Sequence, residues 1–202
     1  MKFSKKDFYF SIVTGCITGF SAWKVFSYLG RPTEFGYSLA WLMVVVPVLW
    51  ILGVNFGYFL GRWFEFFNQF GKFAAIGFTN FAVTAGVLNI LLSLTGYASG
   101  IGYSLISGAS FVVGVLSSYV WNKYWAFDAA QSKGGGGEFG KFFAVTILSF
   151  IINVGIASLV VNYIHPIGGL NAQVWANIGA VAGSAVALIV SFIGFKLAVF
   201  KR

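Results

Sequence analysis

Six apolar runs, each close to the ~20 residues a helix needs to cross ~30 Å of hydrocarbon, limit this chain more than any other feature. They fall at residues 8–29, 38–60, 73–94, 101–121, 142–164 and 174–195. Lipid offers no partner to a backbone N–H or C=O, so a spanning segment satisfies its own groups as a helix or joins a closed barrel. No stretch alternates with period two over ten residues, which removes the barrel. The prediction is an all-α transmembrane bundle of six helices. Composition agrees, with 58% hydrophobic and only 9% charged residues, where a soluble domain carries about a quarter charge.

Orientation follows from the basic residues, because Lys and Arg resist translocation. Lys2, Lys5 and Lys6 precede the first run; Arg62 and Lys72 lie between the second and third; Lys123, Lys133 and Lys141 between the fourth and fifth; Lys196, Lys201 and Arg202 end the chain. Eleven of the 13 basic residues thus share one side, leaving Arg31 and Lys24 on the other. Both termini are predicted to be cytoplasmic. The net charge of +8 is accounted for by this asymmetry and by anionic headgroups, so nucleic acid is not an expected partner. The first run exceeds a signal-peptide core and carries Lys24 in place of a small-residue cleavage site, so it is expected to be retained. Cys16 is the only cysteine, which removes intrachain disulfides and thiol-pair metal sites.

A hairpin is duplicated within the chain. Phe70-Gly71-Lys72-Phe73 and Phe139-Gly140-Lys141-Phe142 open two stretches, which close on Lys123-Tyr124-Trp125-Ala126-Phe127 and Lys196-Leu197-Ala198-Val199-Phe200. The openings align at a shift of 69 residues and the tails at 73, which fits a longer outer loop in the second copy. Each copy holds two helices and starts on the cytoplasmic side, so the copies are parallel repeats, over residues 70–128 and 139–202. Residues 1–66 form an additional N-terminal hairpin ahead of a four-helix domain at 67–202. Between the copies, residues 128–138 with the glycine run Gly134 to Gly137 predict a flexible cytoplasmic tether.

Phe73-Ala74-Ala75-Ile76-Gly77-Phe78-Thr79-Asn80, the closing segment Ser118 to Phe127, and its weaker echo at Phe195 to Phe200 resemble the GtrA family. The resemblance covers Phe70 to the C-terminus. Family members typically show Val-Gly-Gly-x-Asn-Thr and an Asn-Arg/Lys-x-Trp-x-Phe tail; here Phe78 replaces the second glycine and Phe81 the threonine. The resemblance implies a four-helix unit of cell-surface polysaccharide synthesis, widely proposed to move polyprenyl-phosphate-linked sugars across the cytoplasmic membrane of bacteria or archaea.

The residues themselves point away from catalysis. Asp7, Glu34, Glu65, Asp128 and Glu138 all sit in predicted loops or at helix ends, so no helix offers the intramembrane carboxylate a proton-coupled exporter uses. Glycosyl transfer needs a carboxylate base or a metal-binding acidic pair, and no such set is present. No enzyme activity, metal or cofactor is expected. His165, before Pro166, is read as a helix-ending residue.

Small and polar residues recur at helical spacing in four helices: Gly77, Asn80, Thr84; then Ser107, Ser110, Gly114, Ser117, Trp121; Thr146, Ser149, Asn153, Ala157; and Asn177, Ala180, Ser184, Ala187, Ser191. These faces are expected to point inward, for packing or along a hydrated path on which Asn80 and Asn153 meet sugar hydroxyls. Gly15/Gly19 and Gly53/Gly57/Gly61 predict close-packed seams. Lys72, Lys123, Lys141 and Lys196 mark the cytoplasmic ends of the four repeat helices, and close packing would gather them into a phosphate clamp. Asn122 adds an amide and Trp125 an aromatic face. The plainer reading is positive-inside charge and an aromatic belt, with Lys24 snorkelling outward. The chain is therefore expected to be a carrier for a polyprenyl-phosphate-linked monosaccharide, held among membrane lipids. A non-transporting anchor for a separate membrane glycosyltransferase is the alternative. Four repeat helices are few to enclose a sugar, which makes a homodimer a reasonable arrangement.

Overall fold

The computed structural model describes residues 2–31, 33–34, 37–131, 135–169 and 172–200, of which 34 and 172–174 are described by backbone alone. Lys133, Gly134, Lys201 and Arg202, counted above, lie outside the described residues. Six α-helices carry the fold: α1 (Lys5–Tyr28), α2 (Leu42–Leu60), α3 (Phe67–Thr95), α4 (Gly100–Trp121), α5 (Gly136–Tyr163) and α6 (Ala172–Gly194). The loop after α1 holds a minimal antiparallel pairing of Thr33 with Ser38 and Glu34 with Tyr37. The all-α class is as predicted.

Five of the six helices are long and apolar enough to cross a membrane; α1 is the exception. Its length is ample, about 36 Å at 1.5 Å per residue, but its composition is diluted by a polar stripe. Asp7, Ser11, Thr14, Thr18 and Ser21 recur at alternating spacings of four and three and are all buried, while Phe8, Tyr9, Val13 and Phe20 face outward. This stripe was not among the four predicted. The same inversion runs through α2 to α4 and on to Asn122 just beyond, where Lys72, Thr79, Ser110 and Asn122 are buried while Val44, Leu52, Phe56, Phe78 and Phe81 are exposed. Water would not tolerate so continuous an apolar exterior, whereas lipid requires it. The chain is a multi-pass membrane protein.

The helices group into two units, Met1–Ala130 and Gln131–Arg202. In the first, α1 packs on both α2 and α3, and α3 packs on α2 and α4. Glycines set the closest approaches: a Cβ at Gly15 would lie 2.5 Å from the Pro47 Cα, and one at Gly19 would strike the Leu42 carbonyl. Pro47 cannot donate to the carbonyl one turn earlier, that of Met43, and the Cys16 thiol reaches the same oxygen at 3.7 Å. Gly57 and Gly61 face α3, against Gly71 and Asn68, whereas a Cβ at Gly53 would meet nothing within 4 Å. Of the two predicted seams, Gly15/Gly19 therefore seats α2 and Gly57/Gly61 seats α3.

In the second unit, a Cβ at Gly179 would lie 2.6 Å from Val161 Cγ2 and one at Gly183 would lie 3.2 Å from Ala157 Cβ. The buried face of α6 is thus Gly179, Gly183 and Ala187, with Ala180 and Ser184 of the predicted stripe exposed. The Trp175 indole donates to the carbonyls of Val160 (3.1 Å), which also accepts from the Ile164 amide, and of Ile164 (2.9 Å), fastening α6 to the end of α5.

The duplication is visible in local structure. After α4 the backbone widens into a π-helical turn at Asn122–Ala126, and after α6 it does so again at Phe195–Val199, at the offset that aligns Lys123 with Lys196. Each turn ends on a phenylalanine that meets the opening phenylalanine of its own copy: Phe127 on Phe73 at 6.1 Å and Phe200 on Phe142 at 6.3 Å. Both openings lie inside helices, because α3 and α5 start several residues before their apolar runs. Gly136 and Gly137 accordingly belong to the first turn of α5, and the tether is shorter than predicted.

Candidate functional site at one end of the first unit

Asp7 is the third residue of α1, where the pattern Ser4-x-x-Asp7 forms a capping box. Its Oδ2 accepts from the Ser4 amide (3.0 Å), the Ser4 hydroxyl (2.7 Å) and the Tyr58 hydroxyl of α2 (2.9 Å). Its Oδ1 accepts from the Trp125 indole N–H at 3.1 Å and faces Lys72 Nζ of α3 at 3.4 Å. One carboxylate thus joins α1, α2, α3 and the first π-helical turn. Burial opposes its charge, but the Ser4 hydroxyl, the Lys72 ammonium, the Ser4 amide and Tyr58 together outweigh it and hold the carboxyl below the usual 3.8.

The family-like tail folds inward onto this point. Trp125 is 1% exposed, Asn122 1% and Lys123 6%. Trp125 packs on Phe10 with ring centroids 5.7 Å apart. Asn122 donates to the Ser118 carbonyl (2.8 Å) and hydroxyl (3.2 Å), while its Oδ1 is buried without a hydrogen-bond partner. Lys123 Nζ lies 3.4 Å from the Tyr119 hydroxyl. The Lys72 ammonium stands over the Tyr58 ring at 5.6 Å. A π turn fits five residues where an α turn fits four, and here it draws Asn122, Lys123 and Trp125 together against the bundle.

Of the predicted site residues, the structure brings Lys72 and Trp125 onto one carboxylate and sets Asn122 and Lys123 in the adjoining turn. Asn80 lies further along α3, where its Oδ1 accepts from Ser117 of α4 at 3.0 Å. Thr84 fits against Gly114 on the same seam, so the predicted stripes of α3 and α4 do face each other, whereas Gly77 is exposed. In the second unit Lys141 and Lys196 are exposed, beside Phe142 and Phe195, which stack at 4.5 Å. Asn153 donates to the Ser184 hydroxyl of α6 at 3.1 Å. Phe195 stands where the first copy has Asn122, and Ala198 where it has Trp125, so the two closings share a backbone but differ in chemistry.

Asp7 and Tyr58 were missed as site residues. The capping box marks Asp7 as a helix start, and its place at the head of the stripe Ser11, Thr14, Thr18, Ser21 is the signal that it points inward. Nothing local marks Tyr58, one of several aromatics near the end of α2.

Comparison with known proteins bears on this arrangement. The family description GtrA/DPMS, transmembrane domain, matches residues 72–200, opening on the lysine that faces Asp7 and closing on the second π-helical turn. "Uncharacterized membrane protein YngA" of Bacillus subtilis (strain 168) is 28% identical over 115 residues, spanning 52% of this chain and 74% of that protein. No solved structure matches. With the match covering both closing turns and nearly all of both copies, the chain belongs to the GtrA/DPMS transmembrane-domain family.

Proposed function

We propose that this protein carries a polyprenyl-phosphate-linked monosaccharide across the cytoplasmic membrane for cell-surface polysaccharide synthesis, as a carrier and not a catalyst, with both termini cytoplasmic. The observation that carries the reading is the burial of the tail motif. Lysines that serve only to fix topology stay solvated at the headgroups, and belt aromatics lie at the interface. Lys72 and Lys123 are instead drawn against the bundle, beside a buried amide oxygen with no partner and an indole fixed by Asp7.

In this reading the lipid phosphate engages Lys72 and Lys123, Asn122 and Trp125 receive the sugar, and the isoprenoid tail stays in the bilayer. Asn80 and Ser117 offer the next polar contacts along the α3–α4 seam. Transport runs downhill, driven by consumption of the sugar donor on the far side. The membrane-anchor reading draws on a different observation, the aromatic corner after α2, where Trp63 is 62% and Phe64 67% exposed beside the Phe66–Phe70 stack.

Reconstitution in liposomes with a labelled lipid-linked sugar separates the two. Faster transbilayer movement than in empty vesicles is expected. Equal rates, together with retention of a glycosyltransferase on the vesicles, would leave the anchor reading in its place.

A further inference from the structure

Lys24 lies about 26 Å along α1 from Asp7 at 1.5 Å per residue, and its surroundings are those of a binding site. A cavity of about 500 Å³ opens between the ends of α1 and α3, lined by Lys24, Ser27, Tyr28, Asn89 and Ser93 above Ile90 and Leu94. Lys6 and Lys72 each face a carboxylate, whereas Lys24 is in no ion pair among the described residues. The half-buried ammonium instead rests over the rings of Trp23 (4.5 Å) and Phe20 (5.6 Å). An aromatic face is a weak partner for an ammonium, so an anion entering the cavity gains a cation that no carboxylate among the described residues already holds.

The neutral groups define the rest of the ligand. The Ser27 hydroxyl and the Asn89 amide N–H are engaged within their own helices, with the Trp23 and Ala85 carbonyls at 2.8 Å each. The Asn89 side-chain oxygen is left as an acceptor, while the Ser93 and Tyr28 hydroxyls make no hydrogen bond among the described residues. The lining thus offers three kinds of donor (ammonium, serine and phenol) and one amide acceptor beside the apolar Ile90 and Leu94. A halide uses none of the acceptor, and an amine meets the wrong charge. A phosphate with a neighbouring hydroxyl uses all of it.

We infer that Lys24, with Ser93, Tyr28 and Asn89, forms a second phosphate-binding site at the end of the first unit opposite Asp7 and Lys72. Its ligand class is a phosphate ester that carries sugar hydroxyls, and it rests on the proposed function in taking the carried headgroup as that ester. A carrier of a lipid phosphate must release the phosphate from one face and receive it at the other, and this cavity supplies the receiving cation. The N-terminal hairpin contributes Lys24 and Tyr28; the family domain contributes Asn89 and Ser93.

Native mass spectrometry of the full chain in detergent, with a short-chain prenyl phosphate as probe, tests the inference by counting bound lipids. Two adducts are expected for the unaltered protein and for Lys24→Arg, one for Lys24→Gln, and an occupancy of the second lowered roughly threefold to tenfold for Ser93→Ala. Lys72→Gln with Lys123→Gln removes the other adduct and leaves the Lys24 one. An adduct count unchanged in Lys24→Gln overturns the site. Inorganic phosphate as competitor distinguishes the source of the anion: displacement of the Lys24 adduct at millimolar concentration means that the phosphate group alone suffices, and persistence means that headgroup and tail act together, both within the proposal. A protein that flips no lipid in vesicles yet loses one adduct in Lys24→Gln keeps this site and sinks the transport reading.

Discussion

Lys72 Nζ stands 3.4 Å from Asp7 Oδ1, and the two come from different parts of the chain. Lys72 opens the segment that matches the family, whereas Asp7 begins a hairpin that lies before it. The hairpin therefore supplies the counter-charge to the first lysine of the family domain. Asp7 is held by four neutral donors without help from Lys72, two from Ser4, one from Tyr58 and one from Trp125. The carboxylate is fixed; the lysine is its loosest partner. On the proposed carrier reading, an arriving phosphate would meet a cation that can be drawn away without dismantling the cluster.

Asp7→Asn keeps the shape but removes the charge and turns one accepting oxygen into an amide donor, leaving the Lys72 ammonium uncompensated where its side chain is only 11% exposed. Breaking a fully buried pair costs 3–5 kcal/mol; at the end of the bundle, where headgroups and water reach, about 2 kcal/mol is expected. The loss should appear as a lower midpoint of thermal unfolding in detergent, and Asp7→Asn with Lys72→Met should recover part of it. Because the Asp7 carboxyl titrates below its usual value, its contribution is full at neutral pH and fades only as pH falls below 3.8. A pair that gave its support only at high pH would contradict this.

Lys123→Ala is expected to slow flipping of a labelled lipid-linked sugar by on the order of tenfold, the effect of one charge-assisted hydrogen bond, while the protein still accumulates in the membrane. Lys141→Ala, at an exposed position, is expected to have a smaller effect. Transport unchanged in Lys123→Ala removes that residue from the phosphate contacts.

Much of this was legible from the chain itself, and the reasons differ by feature. Apolar length gave the helices, since hydrocarbon thickness fixes it, and the repeated Lys and Phe positions led to two copies that end in the same π-helical turn. What escaped was the inward face of α1. Polar residues in a membrane helix signal burial, but Asp7, Ser11, Thr14, Thr18 and Ser21 are spread among apolar neighbours, and their partners Tyr58, Thr79 and Trp125 lie 51 or more residues away in sequence. Glycine seams were legible as seams, yet spacing alone did not say that Gly57 and Gly61 would seat α3 and that Gly53 would face open space.

Those glycines make a matched pair of tests. A Cβ at Gly15 would lie 2.5 Å from Pro47 Cα, a backbone atom that cannot rotate aside. Gly15→Ala is expected to part α1 from α2 and cost about 1–3 kcal/mol. Gly53→Ala meets nothing within 4 Å and removes a flexible residue from a helix interior, so it should be neutral or stabilise by up to about 1 kcal/mol. Thermal unfolding of the two variants side by side reads the difference; equal behaviour would refute the assigned packing.

Thr79 is the junction of three helices. Its hydroxyl is fully buried, accepts from Thr18 of α1 at 3.0 Å and from the Trp50 indole of α2 at 3.2 Å, and donates to the Ala75 carbonyl of its own helix at 2.9 Å. Thr79→Val preserves volume but deletes the acceptor, so the Trp50 N–H and one donor direction of Thr18 lose their partner. Hydrogen bonds between membrane helices are worth about 0.6 kcal/mol on average and up to 1.7, which places the expected loss for two of them near 1–2 kcal/mol. Thr79→Ser retains the hydroxyl and should recover most of it. Because Thr18 can turn to its own helix, bonding the Thr14 carbonyl at 2.8 Å, the larger share of the loss falls on Trp50, and Trp50→Phe in the Thr79→Val background should then add less than it does alone. Additive losses in that double variant would mean that Trp50 and Thr79 are not coupled and that the three helices meet through packing alone.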